Sequence, residues 1–322
     1  MPRTLAVYRP RVAGRGRRPA RVVVLGDLML DVVLMPARHL DVGTDVPGRV
    51  MLRQGGSAAN TARWLARLGA STTLVCAVGR DPEGRALVAA LENDGVRLRA
   101  ARVAGARTGR IGVIVAPGGE RSFVADRGAG DRLAPADLAA SSFRVDLLHL
   151  PAYSLLGEPL GLAGRRAIEL ARSAGALISL DLSSVAPLLG GGRRAAISLV
   201  RDAAPDVLFA TGLEARAIAG RRDIEALRDL TPLAVVKHGR AGATVHAGTR
   251  QGPLTFHVAT TPIDARDTTG AGDAFDAGFL VDWLGSAPDL RNRPAALRRA
   301  VLSGHRAAAR QLAGAGRELS LG

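Results

Sequence analysis

The residues best placed to do chemistry lie late in the chain, in DTTGAGDAF, residues 267–275. This Thr- and Gly-rich loop runs straight into an amphipathic helical stretch. At a helix start the first backbone N–H groups have no intrahelical acceptor and point outward with the positive end of the helix dipole. Here those groups belong to Gly270, Ala271 and Gly272. Glycine on both sides of Ala271 lets a phosphate come close to bare backbone. Asp273 falls in the first turn, beside that anion site. A carboxylate there can take a proton from a hydroxyl while the amides hold a phosphoryl group in transfer. Taken alone, Asp273 serves equally well as a helix cap and Gly-Ala-Gly as a turn.

A second constellation stands early, in RQGGSAANTARWLARLGA, residues 53–70. The step Gly55-Gly56 leads into a helix whose first turns carry Asn60. The glycines would let a ligand lie against backbone, and Asn60 offers both donor and acceptor to hydroxyls. By itself this segment too is satisfied by a turn and a helix cap.

The elements that must position these motifs alternate. Residues 21–26 read as a buried strand, 59–70 as a helix stopped by Gly69, and TTLVCAVG as a strand. PEGRALVAALENDGV is a helix opened by Pro82. The alternation continues through VDLLHL, RRAIELARSAG, ALISLDL, a helix near 193–202, DVLFA, helices from Leu213 and over 224–230, and LAVVKHG. Two helices close the chain. Such spacing implies βαβ units, and hence an α/β fold with a doubly wound, mostly parallel sheet and helices on both faces. Two stretches break the pattern: residues 32–52 carry no helix signal, and 101–125 read as strands joined at Pro117-Gly118-Gly119. These are expected to form a small β-lid. The Gly-, Pro- and Arg-rich residues 1–20 are expected to be a mobile basic arm, followed by one α/β domain over 21–322.

Together the two motifs resemble the two signatures of the ribokinase-like (PfkB) carbohydrate kinase family, in the same order. The resemblance runs from VVVLGDLMLD to the last helix. It implies a kinase that transfers the γ-phosphoryl of ATP to a hydroxyl of a sugar or sugar-like molecule. Asp273 would be the general base, with Gly270, Ala271 and Gly272 as the anion hole. Asp31, Gly55, Gly56 and Asn60 would bind the acceptor. Thr211, Glu214, Lys237, Gly239 and Gly242 would border the nucleotide, Glu214 helping to hold a hydrated Mg²⁺. Asp267 and Thr269 would offer carbonyls to a monovalent cation, K⁺ where the family uses one. The lid would pair with that of a second subunit in a homodimer.

There are departures from the family pattern. Met29 stands where Asn often precedes the acceptor-binding Asp, and Thr211 replaces the Asn of Asn-x-x-Glu. DLSSVA lacks the Asn and Arg common in sugar-kinase relatives. Competing readings are a nucleoside kinase on the same fold and a catalytically silent sugar- or nucleotide-binding regulator. The intact Asp273 and its glycine loop favour the enzyme. Arg53, Arg110, Arg121 and Arg127 lie near the lid and could hold an acidic or phosphorylated acceptor, but arginine is too common here to discriminate.

Composition excludes several other classes. The chain carries 44 basic against 29 acidic residues, and Lys237 is the only lysine. The arginines are dispersed and aromatic residues make up only 3%, which argues against a nucleic-acid surface. A single cysteine, Cys76, allows no intrachain disulfide and fits a reducing compartment. The pair Arg17-Arg18 suggests a twin-arginine signal, but the apolar run after it carries Asp27 and Asp31 and no small-residue cleavage site. No stretch reaches the roughly 18 apolar residues of a membrane span, so a cytoplasmic protein is expected. A P-loop needs Gly-Lys-Ser/Thr, which Val236-Lys237-His238 does not provide. A dinucleotide fold needs Gly-x-Gly-x-x-Gly after the first strand, where GDLMLD stands instead. The six histidines show no metal-ligand spacing.

Overall fold

The computed structural model describes residues 18–118, 120–220, 224–249, 252–265, 267–314 and 318–319. Residues 1–17 of the expected arm and Gly119 of the expected lid turn lie outside the described residues. Arg18 and Ala20 are described and packed: Arg18 donates to Asp146 at 2.7 Å, and the Ala20 carbonyl accepts from Ser71 N–H at 2.8 Å.

Strands and helices are numbered in chain order. Nine strands form the larger sheet: β1 (Arg21–Leu25), β4 (Ser71–Gly79), β5 (Arg97–Val103), β8 (Leu147–Pro151), β9 (Leu177–Asp181), β10 (Val207–Thr211), β11 (Leu233–Lys237), β12 (Ala243–Thr249) and β13 (Gly252–Val258). Their spatial order is β13-β12-β11-β10-β9-β8-β1-β4-β5, parallel from β5 to β11. Only β12 is reversed, pairing antiparallel with β11 on one side and β13 on the other. The central strands are buried on both faces, which explains continuous apolar runs such as Val22–Leu25. One face is covered by α1 (Ser57–Arg67), α2 (Pro82–Asn93), α7 (Ala271–Gly285) and α8 (Pro294–Ala313). The other is covered by α3 (Leu160–Ser173), α4 (Val185–Leu188), α5 (Gly192–Ala203) and α6 (Gly212–Ala219). Val22 and Val24 face the first group, Val23 and Leu25 the second, as the strand period requires. This is the doubly wound α/β architecture the alternation predicts.

A smaller sheet stands apart, in the order β3 (Gly48–Gly55), β2 (Met29–Pro36), β6 (Arg110–Val115), β7 (Arg121–Asp126). Val33, Met51, Val113 and Val115 form its own apolar cluster. Its bounds differ from those read in the sequence. Ala101–Val103 belongs to β5, paired in parallel with β4, because α2 acts as a βαβ crossover that returns the chain to the edge of the main sheet. At the other end β2 begins at Met29 rather than Val32. Ile224–Asp229 forms a 3₁₀ helix, not an α-helix. The hairpin β12–β13 was not foreseen, although GPLTFHV carries alternating burial.

Helices α7 and α8 approach closely through two glycines. A Cβ at Gly278 would stand 2.6 Å from the Ser303 carbonyl oxygen, and one at Gly304 would stand 2.8 Å from the Phe275 ring. This contact fixes α7, whose first turn carries the DTTGAGDAF loop.

Candidate active site

The motif residues gather at the carboxyl ends of the parallel strands, where open α/β sheets place ligands. Gly270 caps α7 with φ 74°, a left-handed conformation that suits glycine and turns the loop abruptly into the helix. Ala271 N–H bends back to the Thr268 carbonyl at 3.3 Å, so of the three expected anion-hole amides this one is partly engaged. Asp273 follows in the first turn. Its carboxylate faces α1: Oδ1 accepts from Ser57 Oγ at 2.7 Å and Oδ2 from Asn60 Nδ2 at 2.9 Å. Both oxygens thus turn toward another helix, which is not the geometry of a simple helix cap. Burial pushes the carboxyl up to about 6, against the pull of those two hydrogen bonds.

Asn60 lines the cavity as expected, but its side chain is already oriented. Gln54 Nε2 donates to its Oδ1 at 3.3 Å, leaving Nδ2 for Asp273. The glycines of the same motif make room chiefly for the protein's own carboxylates. A Cβ at Gly55 would collide with the Asp31 carboxylate, and one at Gly56 (φ 97°) would lie 2.5 Å from the Asp27 carbonyl oxygen. Gly56 also lines the cavity, whereas Gly55 does not. Asp31 is buried and its Oδ1 has no partner. Desolvation, reinforced by Asp27, Asp267 and Asp273, pushes its carboxyl up to about 7. Met29 is fully buried behind Gly109 and Gly130, so no polar group reaches the cavity from that position.

Two cavities open here. One, of about 610 Å³, is lined by Gly212, Leu213, His238, Gly239, Gly242, Phe275 and Leu312 among others. The second, of about 780 Å³, lies under the small sheet and holds Asp27, Asp31, Asn60, Arg127, Tyr153 and Asp273. Thr211, Lys237 and Gly272 line both, so the cavities meet beside Asp273. A carboxylate base at such a junction, flanked by a helix N-terminus, suits transfer of an anionic group from one compartment to the other.

The residues expected to border the nucleotide are brought together. Gly239 (φ 57°) and Gly242 (φ 108°) line the first cavity, and a Cβ at Gly242 would strike the Val258 carbonyl. Thr211 caps α6 in a reciprocal pair with Glu214: Oε2 accepts from Thr211 N–H at 2.7 Å, and Glu214 N–H donates to Thr211 Oγ1 at 3.3 Å. Thr211 therefore does a capping job that Asn does comparably. Glu214 is buried and lines the second cavity; burial and the nearby Asp181 push its carboxyl up. In the loop itself, the Asp267 carboxylate pairs with Arg53 at 2.7 Å, and the Thr269 carbonyl accepts from Gln311 at 2.9 Å. Arg121 donates to Thr269 Oγ1 at 2.5 Å and to Thr268 Oγ1.

Sequence reading missed several contributors. Ser57 holds Asp273. Asp27 fixes the start of α1 by accepting from Ala58 N–H at 3.0 Å. Asp181 and Asp276 grip Lys237, and Tyr153 lies under Arg127 at 5.1 Å. The sequence signal for the cluster is compositional: acidic residues inside otherwise apolar runs, at Asp181 in ALISLDL and Asp276 in the α7 stretch.

The family model described as pfkB family carbohydrate kinase matches residues 19–318. Fructokinase-2 of Solanum lycopersicum is 30% identical over 80% of this chain and 80% of its own length. The ATP-dependent ribose-1-phosphate kinase of Halopiger xanaduensis is 31% identical over 82% of this chain and 85% of its own. Among solved structures, the adenosine kinase of Sinorhizobium meliloti shares the fold with a TM-score of 0.80, at 23% identity over 94% of this chain and 98% of that one.

Proposed function

The chain belongs to the pfkB family of carbohydrate kinases, and from that premise we propose that it phosphorylates a neutral sugar, with ATP as donor. The observation that carries the neutral acceptor is the charge of the second cavity. Six carboxylates line it (Asp27, Asp31, Asp131, Asp181, Glu214 and Asp273), with two cations, Arg127 and Lys237. Both cations are already paired, Arg127 with Asp131 at 2.6 Å and Asp27 at 3.7 Å, Lys237 with Asp181 and Asp276. A carboxylate or phosphate on the acceptor would enter a field of its own sign. Arg53, Arg110 and Arg121 offer no relief, being engaged by Asp267, Glu83 and the 267–269 loop. The groups left without partners suit hydroxyls: Asp31 Oδ1 is a buried acceptor and Arg127 Nη2 a buried donor.

In this reading the acceptor oxygen bonds to the γ-phosphorus as the bond to the β,γ-bridging oxygen breaks. The hydroxyl proton passes to Asp273, and ADP leaves with the electron pair. The amides at the start of α7 face the charge that grows on the phosphoryl group. Mg²⁺, when bound, neutralises phosphate charge; the buried Glu214 carboxylate is the group that would hold it through water. Potassium is given no step: of the two carbonyls expected to hold it, that of Thr269 already accepts from Gln311.

The reading also includes a cytoplasmic homodimer joined through the small sheet. Support comes from the face opposite Val33, Met51 and Val113, where Val50 and Val124 stand exposed. No helix among the described residues is long and apolar enough to cross a membrane.

The test is ADP release from ATP and Mg²⁺ across neutral pentoses and hexoses, sugar acids, sugar phosphates and nucleosides. Neutral sugars should give the highest kcat/KM. A sugar acid or sugar phosphate ten-fold better than every neutral sugar would overturn the acceptor class, and a nucleoside so placed would replace it.

A further inference from the structure

The buried charge cluster beneath the glycine loop has no part in the mechanism above. Lys237 ends β11 with its Nζ 3.1 Å from Asp181 Oδ2, at the end of β9, and 3.0 Å from both oxygens of Asp276, in α7. The Asp276 side chain is 0% exposed and that of Lys237 11%. The ammonium also lies 5.7 Å from the centre of the Phe209 ring. A Cβ at Gly272 would stand 3.5 Å from Nζ, so the charge sits directly under the loop whose amides face the phosphoryl group. Lys237 is, with Thr211 and Gly272, one of the three residues shared by the two cavities.

Composition sharpens the point. Of 44 basic residues this is the only lysine. Ion pairs elsewhere among the described residues, from Arg18–Asp146 to Arg299–Asp282, use arginine. A chain that takes arginine wherever a cation suffices has kept an ammonium at the cavity junction. The two groups differ in shape. A guanidinium is a planar fork of five donors, whereas an ammonium is a compact charge with three tetrahedral donors. Asp181 takes one of those donors and Asp276 shares a second between its two oxygens, which leaves the third for the junction.

We propose that Lys237 is a further catalytic residue, whose third N–H donates to the phosphoryl group as it passes between the cavities, and that Asp276 is the positioning residue that aims it. The proposal rests on the kinase reading above. The charge state of the cluster agrees with it. Burial would strip the ammonium of its proton, but Asp181 and Asp276 outweigh that and hold it charged. Burial likewise pushes Asp276 up well above the ordinary carboxylate range. Asp181 is held below the ordinary carboxylate range, because the Lys237 ammonium together with hydrogen bonds from Asp276, Lys237 and Ser183 N–H outweighs its desolvation.

The experiment uses the full chain with ATP, Mg²⁺ and the sugar that releases ADP fastest in the panel. Lys237→Gln keeps a chain of similar length without the charge. Its kcat should fall about 10²–10³-fold, the usual cost of removing one donor to a developing oxyanion, with KM for ATP and sugar within a few-fold of the parent. Lys237→Arg restores a cation in the wrong shape and should recover less than a tenth of the loss. Asp276→Asn leaves Lys237 in place, so it decides the matter should the first variant not fold. In that variant kcat should drop about ten-fold at unchanged KM; a merely structural Asp276 would lower the melting temperature and leave kcat alone. A folded Lys237→Gln protein within three-fold of parental kcat sinks the catalytic role, and parental kcat in Asp276→Asn sinks the positioning role. If the parent turns over and Asp273→Asn is dead while both of these variants keep pace, the kinase reading stands and this one falls. A parent that releases no ADP with any sugar removes both.

Discussion

Where the first cavity offers glycine, backbone and apolar surface at Gly239, Gly242, Leu213, Phe275 and Leu312, the second offers six carboxylates and two paired cations. The contrast separates two ways of recognising a ligand. A nucleotide held by backbone and shape needs glycines at fixed places, since a side chain at Gly242 would strike the Val258 carbonyl. An acceptor held by carboxylates is chosen by side-chain identity and by which charges are already satisfied. The same fold can keep the first cavity and rewrite the second, and mutations should part the two accordingly.

The largest effect is expected at the junction. Asp273→Asn should lower turnover by roughly 10²–10⁴-fold, the usual range for loss of a general base, with ATP binding by calorimetry unchanged. The acid limb gives a second check. The base works only when ionised, so kcat/KM of the parent should fall about ten-fold per pH unit below a midpoint of about 6. The residual activity of the variant should lack that limb. A variant that keeps both rate and limb places the base elsewhere.

Next in size is Asp31, which lines the second cavity and not the first. Removal of a charged hydrogen-bond partner costs about 1.5–3 kcal/mol, so Asp31→Asn should weaken sugar binding about ten-fold or more and leave ATP affinity alone. Loss of ATP affinity instead would erase the distinction between the cavities. Stability should move the other way. The folded state raises this carboxyl to about 7, so it binds its proton more tightly folded than unfolded. Its contribution is full below the unfolded value near ~4 and is lost as pH rises through about 7. The Asn variant should therefore melt a few degrees above the parent at pH 8, with the gap closing toward pH 4. The smallest effect is expected far from either cavity. A chain starting at Arg18 keeps the ion pair with Asp146 and should melt within a degree or two of the full chain, by calorimetry. A larger loss would show that residues 1–17 serve the folded domain.

The same contrast explains what was legible beforehand. Asp273, its glycine loop and the Gly55-Gly56-Asn60 segment are local patterns, because a helix N-terminus and a turn are made by consecutive residues. The alternation of strands and helices is local as well, and it led to the right sheet. What escaped is tertiary. Ser57 reads as an ordinary helix-start residue until α7 brings Asp273 to it. Lys237, Asp181 and Asp276 come from three separate elements and share no spacing rule. Gly55 was read as space for a ligand, whereas that space belongs to Asp31 on the paired strand β2. Residues 101–103 of the edge strand β5 fall in the stretch expected to form the lid, and the exposed, arginine-rich β5 looks unlike a buried parallel strand.

The close seam between α7 and α8 has a consequence for how this protein can change over time. Gly304 touches neither cavity, yet a methyl group there would meet the ring and carbonyl of Phe275, two residues beyond Asp273. Any larger residue must push α7 away from α8 and carry the Asp273 carboxylate with it. Drift is restrained at a position that lines neither cavity, while Asp131 or Tyr153, in the lining of the second cavity, can be replaced without moving that seam. New acceptors can therefore evolve from the mouth of the second cavity, while the helix pair that holds the base is inherited almost unaltered.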